Sequence, residues 1–100
     1  MNIEQKTDML LLSGITELTA ANSSLFRDEA RKVLTAAIVH IDVDLSRTTF
    51  VDSSGLGALI SLHKTVSARG GALRIVNPAS NVQQILELTR LHRVFEIIRR

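Results

Sequence analysis

Hydroxyl groups, an acid and two glycines come together at residues 49–59, between two apolar segments of the chain. The stretch reads Thr-Phe-Val-Asp-Ser-Ser-Gly-Leu-Gly-Ala-Leu. A strand-like segment precedes it and a helix-like segment follows it, so it forms a strand-to-helix turn. Ser53 and Ser54 stand where a helix N-cap belongs, and exposed N–H groups there favour negative charge. The residues alone leave two hypotheses open: the serines cap the helix, or they accept a phosphate group.

Nucleophilic hydrolysis is the first chemistry that Asp52, Ser53 and His63 suggest. His63 lies about ten residues further along the predicted helix, or roughly 15 Å at 1.5 Å per residue, whereas a catalytic base must lie within about 3 Å of its nucleophile. His40 and His92 are the other candidate bases, and neither has a supporting acid nearby in sequence. The Gly-x-Ser-x-Gly pattern of a nucleophile elbow is also missing. We therefore expect that the protein is not an enzyme.

The glycines at the turn form only a Gly-x-Gly pattern, which is a weak signal for a nucleotide site. Neither a third glycine nor a following Lys-Ser/Thr pair is present, although phosphate-binding loops need them. The pattern favours a structural interpretation instead. Gly55 is expected to let the chain turn tightly, and Gly57 is expected to let the helix pack close to the sheet.

Three acidic residues, Asp42, Asp44 and Asp52, are the candidate metal ligands nearest to the turn. They are too scattered along the chain for a compact metal site. Asp42 and Asp44 are expected to solvate one face of a strand. We therefore predict that the protein has no metal site and no cofactor.

Composition limits the protein to one domain, covering residues 1–100. The hydrophobic fraction of 45% is typical of a globular protein with a modest core. There is no cysteine, which excludes disulfides and thiolate zinc sites and is compatible with a reducing compartment. The polar N-terminus does not resemble a signal peptide, and no apolar run reaches the roughly 20 residues that span a bilayer. We expect a cytoplasmic protein that does not insert into the membrane.

The formal net charge is only +2, and the basic residues cluster late, at Arg90, Arg93, Arg99 and Arg100. Nucleic-acid binding needs a basic face and is helped by aromatic residues for stacking. The chain has three Phe and neither Tyr nor Trp. We therefore expect a solvated basic C-terminus and no nucleic-acid partner.

Hydrophobic periodicity predicts the order strand, helix, strand, helix, strand, helix, strand. The predicted strands cover residues 8–15, 38–45, 72–76 and 94–98. The predicted helices run from a cap at 22–24 to about 36, from 55 to 68, and from a cap at 80 or 81 to 88. Residues before Thr7 can add an antiparallel strand, and Gly70-Gly71 supplies the positive φ that ends the second helix.

This alternation predicts an α/β fold with a mainly parallel sheet of four to five strands and three to four helices packed on it. Functional sites in such sheets gather at the carboxyl ends of strands, where the turn at 49–59 lies. Leu59 and Ile60 are expected in the core. The apolar faces of the outer helices are expected to include Leu25 and Leu88.

The segment from Phe50 to Leu59 resembles the signature turn of STAS domains, the family of anti-sigma factor antagonists. Similarity to the family extends over nearly the whole chain, through residues 17–22, 70–77 and 82–95. The core Asp-Ser-Ser-Gly-Leu-Gly is specific in this context. The resemblance implies a single STAS domain.

The same resemblance implies partner switching, in which a kinase-type anti-sigma factor phosphorylates the serine directly after the Asp, here Ser53. The unphosphorylated domain binds the anti-sigma factor and frees the sigma factor, and a PP2C-type phosphatase resets the switch. By this carry-over, Asp52 orients the turn and Ser54 caps the helix. The residues implied in partner binding are Asp52, Ser53, Ser54, Gly55, Leu56, Gly57, Thr19 and Asn22.

The sequence departs from the family pattern in the loop before the first helix. Thr19 stands where many members have an Asp close to the phosphorylated serine, and Thr16 stands where a glycine is frequent, although Gly14 is near. These departures keep an alternative open, that of an unmodified STAS adaptor such as the small cytoplasmic subunit of a bacterial phospholipid ABC transporter.

Overall fold

The computed structural model describes Met1–Arg100 and contains seven strands and three α-helices. The strands are β1 Asn2–Lys6, β2 Met9–Ser13, β3 Glu17–Leu18, β4 His40–Asp44, β5 Phe50–Val51, β6 Ala72–Val76 and β7 Glu96–Ile98. The helices are α1 Ser23–Val33, α2 Ser53–Ser67 and α3 Ser80–Leu88, and a 3-10 turn follows at Leu91–Arg93. None of the helices combines the length and apolar character that crossing a bilayer requires.

Five strands form one sheet in the order β1-β2-β4-β6-β7. β1 runs antiparallel to β2, and every other pair in this sheet is parallel. The predicted α/β fold with a mainly parallel sheet is therefore confirmed. The antiparallel strand expected from residues before Thr7 is also present.

Alternation along the strands explains which side of the sheet is buried. The strand residues with no solvent exposure on the core side include Leu10, Leu12, Ile41, Val43, Leu73 and Ile75. α2 lies against β4 and β6 and packs beside α1. Leu59 of α2 is completely buried, as predicted, and Ile60 is only partly buried at the edge of the same core.

A second sheet of two short parallel strands, β3 and β5, was not predicted. Glu17 pairs with Phe50, and Leu18 pairs with Val51. Two residues are too few for an alternation pattern, so no periodicity in the sequence marks these strands. Their pairing brings the loop after β3 next to the turn before α2.

The ends of several elements differ from the predicted ones. α1 ends at Val33 instead of near residue 36, β7 begins at Glu96 instead of at 94, and α3 is preceded by Ala79, whose side chain cannot cap it. Leu25 is 64% exposed and Leu88 is 84% exposed, so neither belongs to the core. Leu25 is one position before the buried Phe26, and Leu88 is two positions after the buried Leu86, so each leucine lies about 100° or more around its helix from the buried face.

The prediction that Asp42 solvates a strand face is wrong. Asp42 is completely buried, and its carboxylate accepts two hydrogen bonds from Arg74, at 2.7 Å to the Nε and 2.8 Å to an Nη nitrogen. The C-terminus is also tied down and not simply solvated. Arg100 donates to the same carboxylate at 3.4 Å, and Arg99 donates to Gln83 at 3.1 Å. Both cations, Arg74 and Arg100, stand far from Asp42 in sequence, so the local pattern could not indicate this pairing.

Candidate functional site

The strand-to-helix turn lies where β5 ends and α2 begins. Val51 is the last residue of β5, and Ser53 is the first residue of α2. The intervening residue, Asp52, has an extended backbone with φ −106° and ψ −174°. The turn is therefore the N-terminus of a 15-residue helix, with β3 and the following loop beside it.

Asp52, and not a serine, is the N-cap of α2. Its Oδ1 accepts a hydrogen bond from the Gly55 N–H at 3.0 Å, and its backbone carbonyl accepts from the Leu56 N–H at 3.0 Å. The prediction that Ser54 caps the helix is wrong. Asp is as good a cap as Ser, and it is the first of the three consecutive cap-forming residues that the chain reaches after β5.

The second carboxylate oxygen of Asp52 reaches across to another segment. Oδ2 accepts from the Ala20 N–H at 3.0 Å, and the Asp52 N–H donates to the Leu18 carbonyl at 3.2 Å. The Gly55 N–H, followed by that of Ala20, lowers the pKa of Asp52 below its ordinary value, because both stabilise the charged carboxylate. Asp52 is therefore a fixed negative charge that joins the helix N-terminus to the loop after β3, in keeping with its predicted orienting role.

The loop from Thr19 to Asn22 is held by its own side chains. The Asn22 side chain accepts from the Thr19 N–H at 2.8 Å and donates to the Glu17 carbonyl at 2.7 Å. The Thr19 hydroxyl accepts from the Ala21 N–H at 3.2 Å, and Thr19 is only 8% exposed. Asn22 precedes α1 but makes no side-chain cap bond to it. Thr19 therefore braces the loop and presents no carboxylate to the turn.

Ser53 and Ser54 are exposed and lie directly beside the fixed carboxylate of Asp52. No hydroxyl of the pair takes part in a hydrogen bond within the protein, while Asp52 makes the cap bond. Their hydroxyl oxygens are therefore available to solvent or to another molecule. Both serines lie in the first turn of α2, where backbone N–H groups lack helical acceptors.

One glycine of the turn packs closely, and it is not the one for which the sequence predicted close packing. A Cβ on Gly55 would lie 2.1 Å from the Leu18 carbonyl oxygen, so it is Gly55 that allows α2 to approach β3. A Cβ on Gly57 would meet no atom within 4 Å, and the prediction of close packing at Gly57 is wrong. Leu56 is 9% exposed and belongs to the core, so it supports the turn from beneath.

Two features beside the turn were missed in the sequence. The first is Phe50, which is 54% exposed although aromatic residues are typical of half-buried strands. The second is the side chain of Asn81, which donates to the Thr49 carbonyl and links the start of α3 to the turn. The Asn81 contact joins residues 32 positions apart, so no local signal indicates it.

The three histidines lie away from the turn. His63 packs its ring edge-on against Phe95, with 5.7 Å between ring centroids. His40 begins β4, and His92 places its Nδ1 3.3 Å from the Leu86 carbonyl oxygen. None of the three histidines makes a hydrogen bond to Ser53.

Comparison with known proteins assigns the family. The STAS domain family matches residues 1–100, and the chain belongs to this family. A protein of Thermotoga maritima, named as a candidate anti-sigma factor antagonist, is 31% identical over 91 residues, which are 90% of this chain and 80% of that protein. A crystal structure under the same description, also from Thermotoga maritima, has a TM-score of 0.87 at 28% identity and covers 96% of this chain and 83% of its own.

The fold is also that of the anti-sigma factor antagonist SpoIIAA. Its unphosphorylated form has a TM-score of 0.86 at 19% identity, over 99% of this chain and 86% of that chain. The phosphorylated form, from Bacillus, has a TM-score of 0.76 at 18% identity, over 99% of this chain and 89% of that chain. At these identities the likeness shows a shared fold.

Proposed function

We propose that this STAS domain is an anti-sigma factor antagonist that works by partner switching. The unphosphorylated domain binds a kinase-type anti-sigma factor and releases the sigma factor, phosphate on Ser53 blocks that binding, and a PP2C-type phosphatase removes the phosphate. The domain itself is a substrate and a binding module, and it catalyses neither step. The relatives named as anti-sigma factor antagonists support this proposal.

The observation that carries the proposal is the free hydroxyl of Ser53. A serine that capped α2 would have its oxygen engaged by a backbone N–H. Asp52 makes that contact instead, so the exposed Ser53 hydroxyl remains unbonded. A kinase must reach the hydroxyl that it phosphorylates, and the Ser53 hydroxyl is accessible at the N-terminus of α2.

Electrostatics explain how one phosphate would block binding. A phosphoserine carries about −1.5 to −2 charges at neutral pH. At Ser53 it would stand next to the fixed charge of Asp52 and near exposed Phe50. A partner that covers this surface would have to desolvate both charges, which costs several kcal/mol where they are unpaired. The bare hydroxyl imposes no such cost.

Phosphate transfer tests the proposal directly. The purified domain is incubated with radiolabelled ATP and each kinase-fold anti-sigma factor encoded by the source organism, alongside Ser53→Ala and Ser54→Ala variants. We expect one kinase to label wild type and Ser54→Ala but not Ser53→Ala. Equal labelling of Ser53→Ala would refute the assignment of the site.

Failure of every kinase to label wild type would favour the adaptor alternative. Thr19 is the specific observation behind that alternative, since it is buried in the loop and supplies no acid beside Ser53. An adaptor would bind a transporter ATPase subunit and remain unmodified in its host, so intact-mass measurement of the protein isolated from cells separates the two functions.

A further inference from the structure

A groove between the first strand and the first helix is lined by apolar and acidic residues that the proposed switch does not use. It has a volume of about 380 Å³. Ile15 and Phe26 are buried at its base, while Leu25 at its side is 64% exposed. Its remaining apolar residues are Met1, which is exposed, and Ile3, which is half-buried.

The polar part of this groove is acidic. Glu17 and Glu29 line it, and no lysine or arginine does. Neither carboxylate belongs to any of the three ion pairs in the protein. No cation of the protein therefore neutralises these two carboxylates, although the chain has 12 Lys and Arg residues against 10 Asp and Glu residues.

The groove is continuous with the turn that carries Ser53. Asn22 lines the groove and at the same time holds Thr19, in the loop that donates to Asp52. Glu17 lines the groove and pairs in register with Phe50, just before the turn. One partner can therefore cover both surfaces without spanning a gap.

We propose that the groove docks a basic segment with an apolar face, contributed by the same protein partner that contacts Ser53. Leu25 packs against the apolar face of this segment, and Glu17 and Glu29 pair with its lysines or arginines. The ten residues that line the groove are fewer than the roughly 20–30 per partner of a stable interface, which is why it acts together with the turn. The identity of the partner rests on the proposed function, whereas the chemistry of the segment rests on the groove alone.

A peptide titration tests this docking surface in the whole domain. The probe is a synthetic helical peptide of about 18 residues, roughly 27 Å long, with leucine on one face and arginine elsewhere. Its counterpart carries glutamate in place of arginine. With isotope-labelled protein, we expect only the arginine peptide to give saturable amide shifts, and we expect these to be confined to residues 1–3, 14–17 and 22–29, which include every residue that lines the groove. Shifts elsewhere, no shifts up to about 1 mM peptide, or equal binding of both peptides would overturn the proposal.

Three variants make the titration specific. Leu25→Ser, which removes the apolar contact without adding charge, and Glu29→Lys are each expected to weaken binding about tenfold. Leu25 is exposed and Glu29 is half-buried, so the fold is retained. Leu88→Ser alters an exposed leucine on α3 that lies outside the groove and is expected to bind like wild type. Unchanged affinity in both groove variants would contradict the proposal. Ser53→Ala should bind the peptide normally, so a failure of phosphate transfer and a failure of docking are distinguished.

Discussion

The Oδ2 oxygen of Asp52 lies 3.0 Å from the backbone nitrogen of Ala20, and this hydrogen bond joins two segments that are 32 residues apart. The other carboxylate oxygen holds the Gly55 N–H at the start of α2. One side chain therefore fixes the position of Ser53 relative to the loop after β3. Together with the pairing of β3 and β5, this carboxylate sets the shape of the surface around Ser53.

Replacing Asp52 with Asn should keep the helix cap and lose the link to Ala20. The Asn oxygen can still accept from Gly55, but the amide nitrogen cannot accept from the Ala20 N–H. We expect Asp52→Asn to lower the free energy of unfolding near neutral pH and to increase amide hydrogen exchange at Ala20. Asp52→Ala should lower the stability further because it also removes the cap.

The pH dependence of this difference follows from the depressed pKa of Asp52. The Gly55 N–H, followed by the Ala20 N–H, lowers that pKa in the folded state, so the folded protein binds this proton less readily than the unfolded chain. The stabilisation is fully present above the unfolded pKa of about 4 and is lost as the pH falls through the folded pKa. Urea titrations should therefore show the gap between wild type and Asp52→Asn narrowing below about pH 4. A stability difference between wild type and Asp52→Asn that increased as the pH fell would contradict this explanation.

Replacement by Ala should lower the stability of the protein at one glycine of the turn and raise it at the other. A methyl group on Gly55 meets the Leu18 carbonyl oxygen at 2.1 Å, so α2 must shift away from β3, and we expect Gly55→Ala to cost about 1–3 kcal/mol. Gly57→Ala is the matched control: its methyl group meets open space, and we expect it to raise stability by about 0.5–1 kcal/mol. Chemical denaturation of both variants measures the difference, and a Gly55→Ala protein as stable as Gly57→Ala would mean that α2 and β3 are not in contact.

Removing one partner of the buried ion pair between Asp42 and Arg74 should lower the free energy of unfolding more than replacing both partners with apolar residues. Arg74→Met leaves a fully buried carboxylate with only the 3.4 Å contact to Arg100, and we expect a loss of about 3–5 kcal/mol. Adding Asp42→Val removes the unpaired charge and should restore most of that loss. Thermal or urea unfolding of the single and double variants measures both effects. A double variant no more stable than Arg74→Met would show that the pair contributes more than charge compensation.

Alternation and helical spacing were enough to predict the sheet, the core residue Leu59 and the position of the turn. These features depend on which residues are buried, and burial leaves a periodic mark in the sequence. Asp42 was placed on the correct side of its strand, opposite Ile41 and Val43, but its burial was not predicted. The cations that neutralise it come from β6 and from the C-terminus, and a single sequence does not show that they meet.

The cap residue of α2 and the closely packed glycine could not be predicted from the sequence, for a related reason. Asp52, Ser53 and Ser54 are all good N-cap residues, so composition does not select among them. The selection depends on the direction in which the chain leaves β5, and that direction depends on pairing with β3. Close packing was predicted at Gly57 instead of Gly55 for the same reason, since only the position of Leu18 decides which glycine needs the space.

The stability of Ser53→Ala distinguishes a serine that caps α2 from one whose hydroxyl is free to accept phosphate. Its hydroxyl makes no hydrogen bond in the protein and is exposed, so Ser53→Ala should change the free energy of unfolding by less than about 0.5 kcal/mol. A capping serine would instead cost about 1 kcal/mol when replaced by Ala. Urea titration of wild type, Ser53→Ala and Ser54→Ala side by side measures these differences, and the two variants should be alike in stability while only Ser53→Ala loses phosphate uptake. A destabilisation of about 1 kcal/mol or more at Ser53 would mean that its hydroxyl takes part in capping α2, and the argument for a free acceptor at this position would fail.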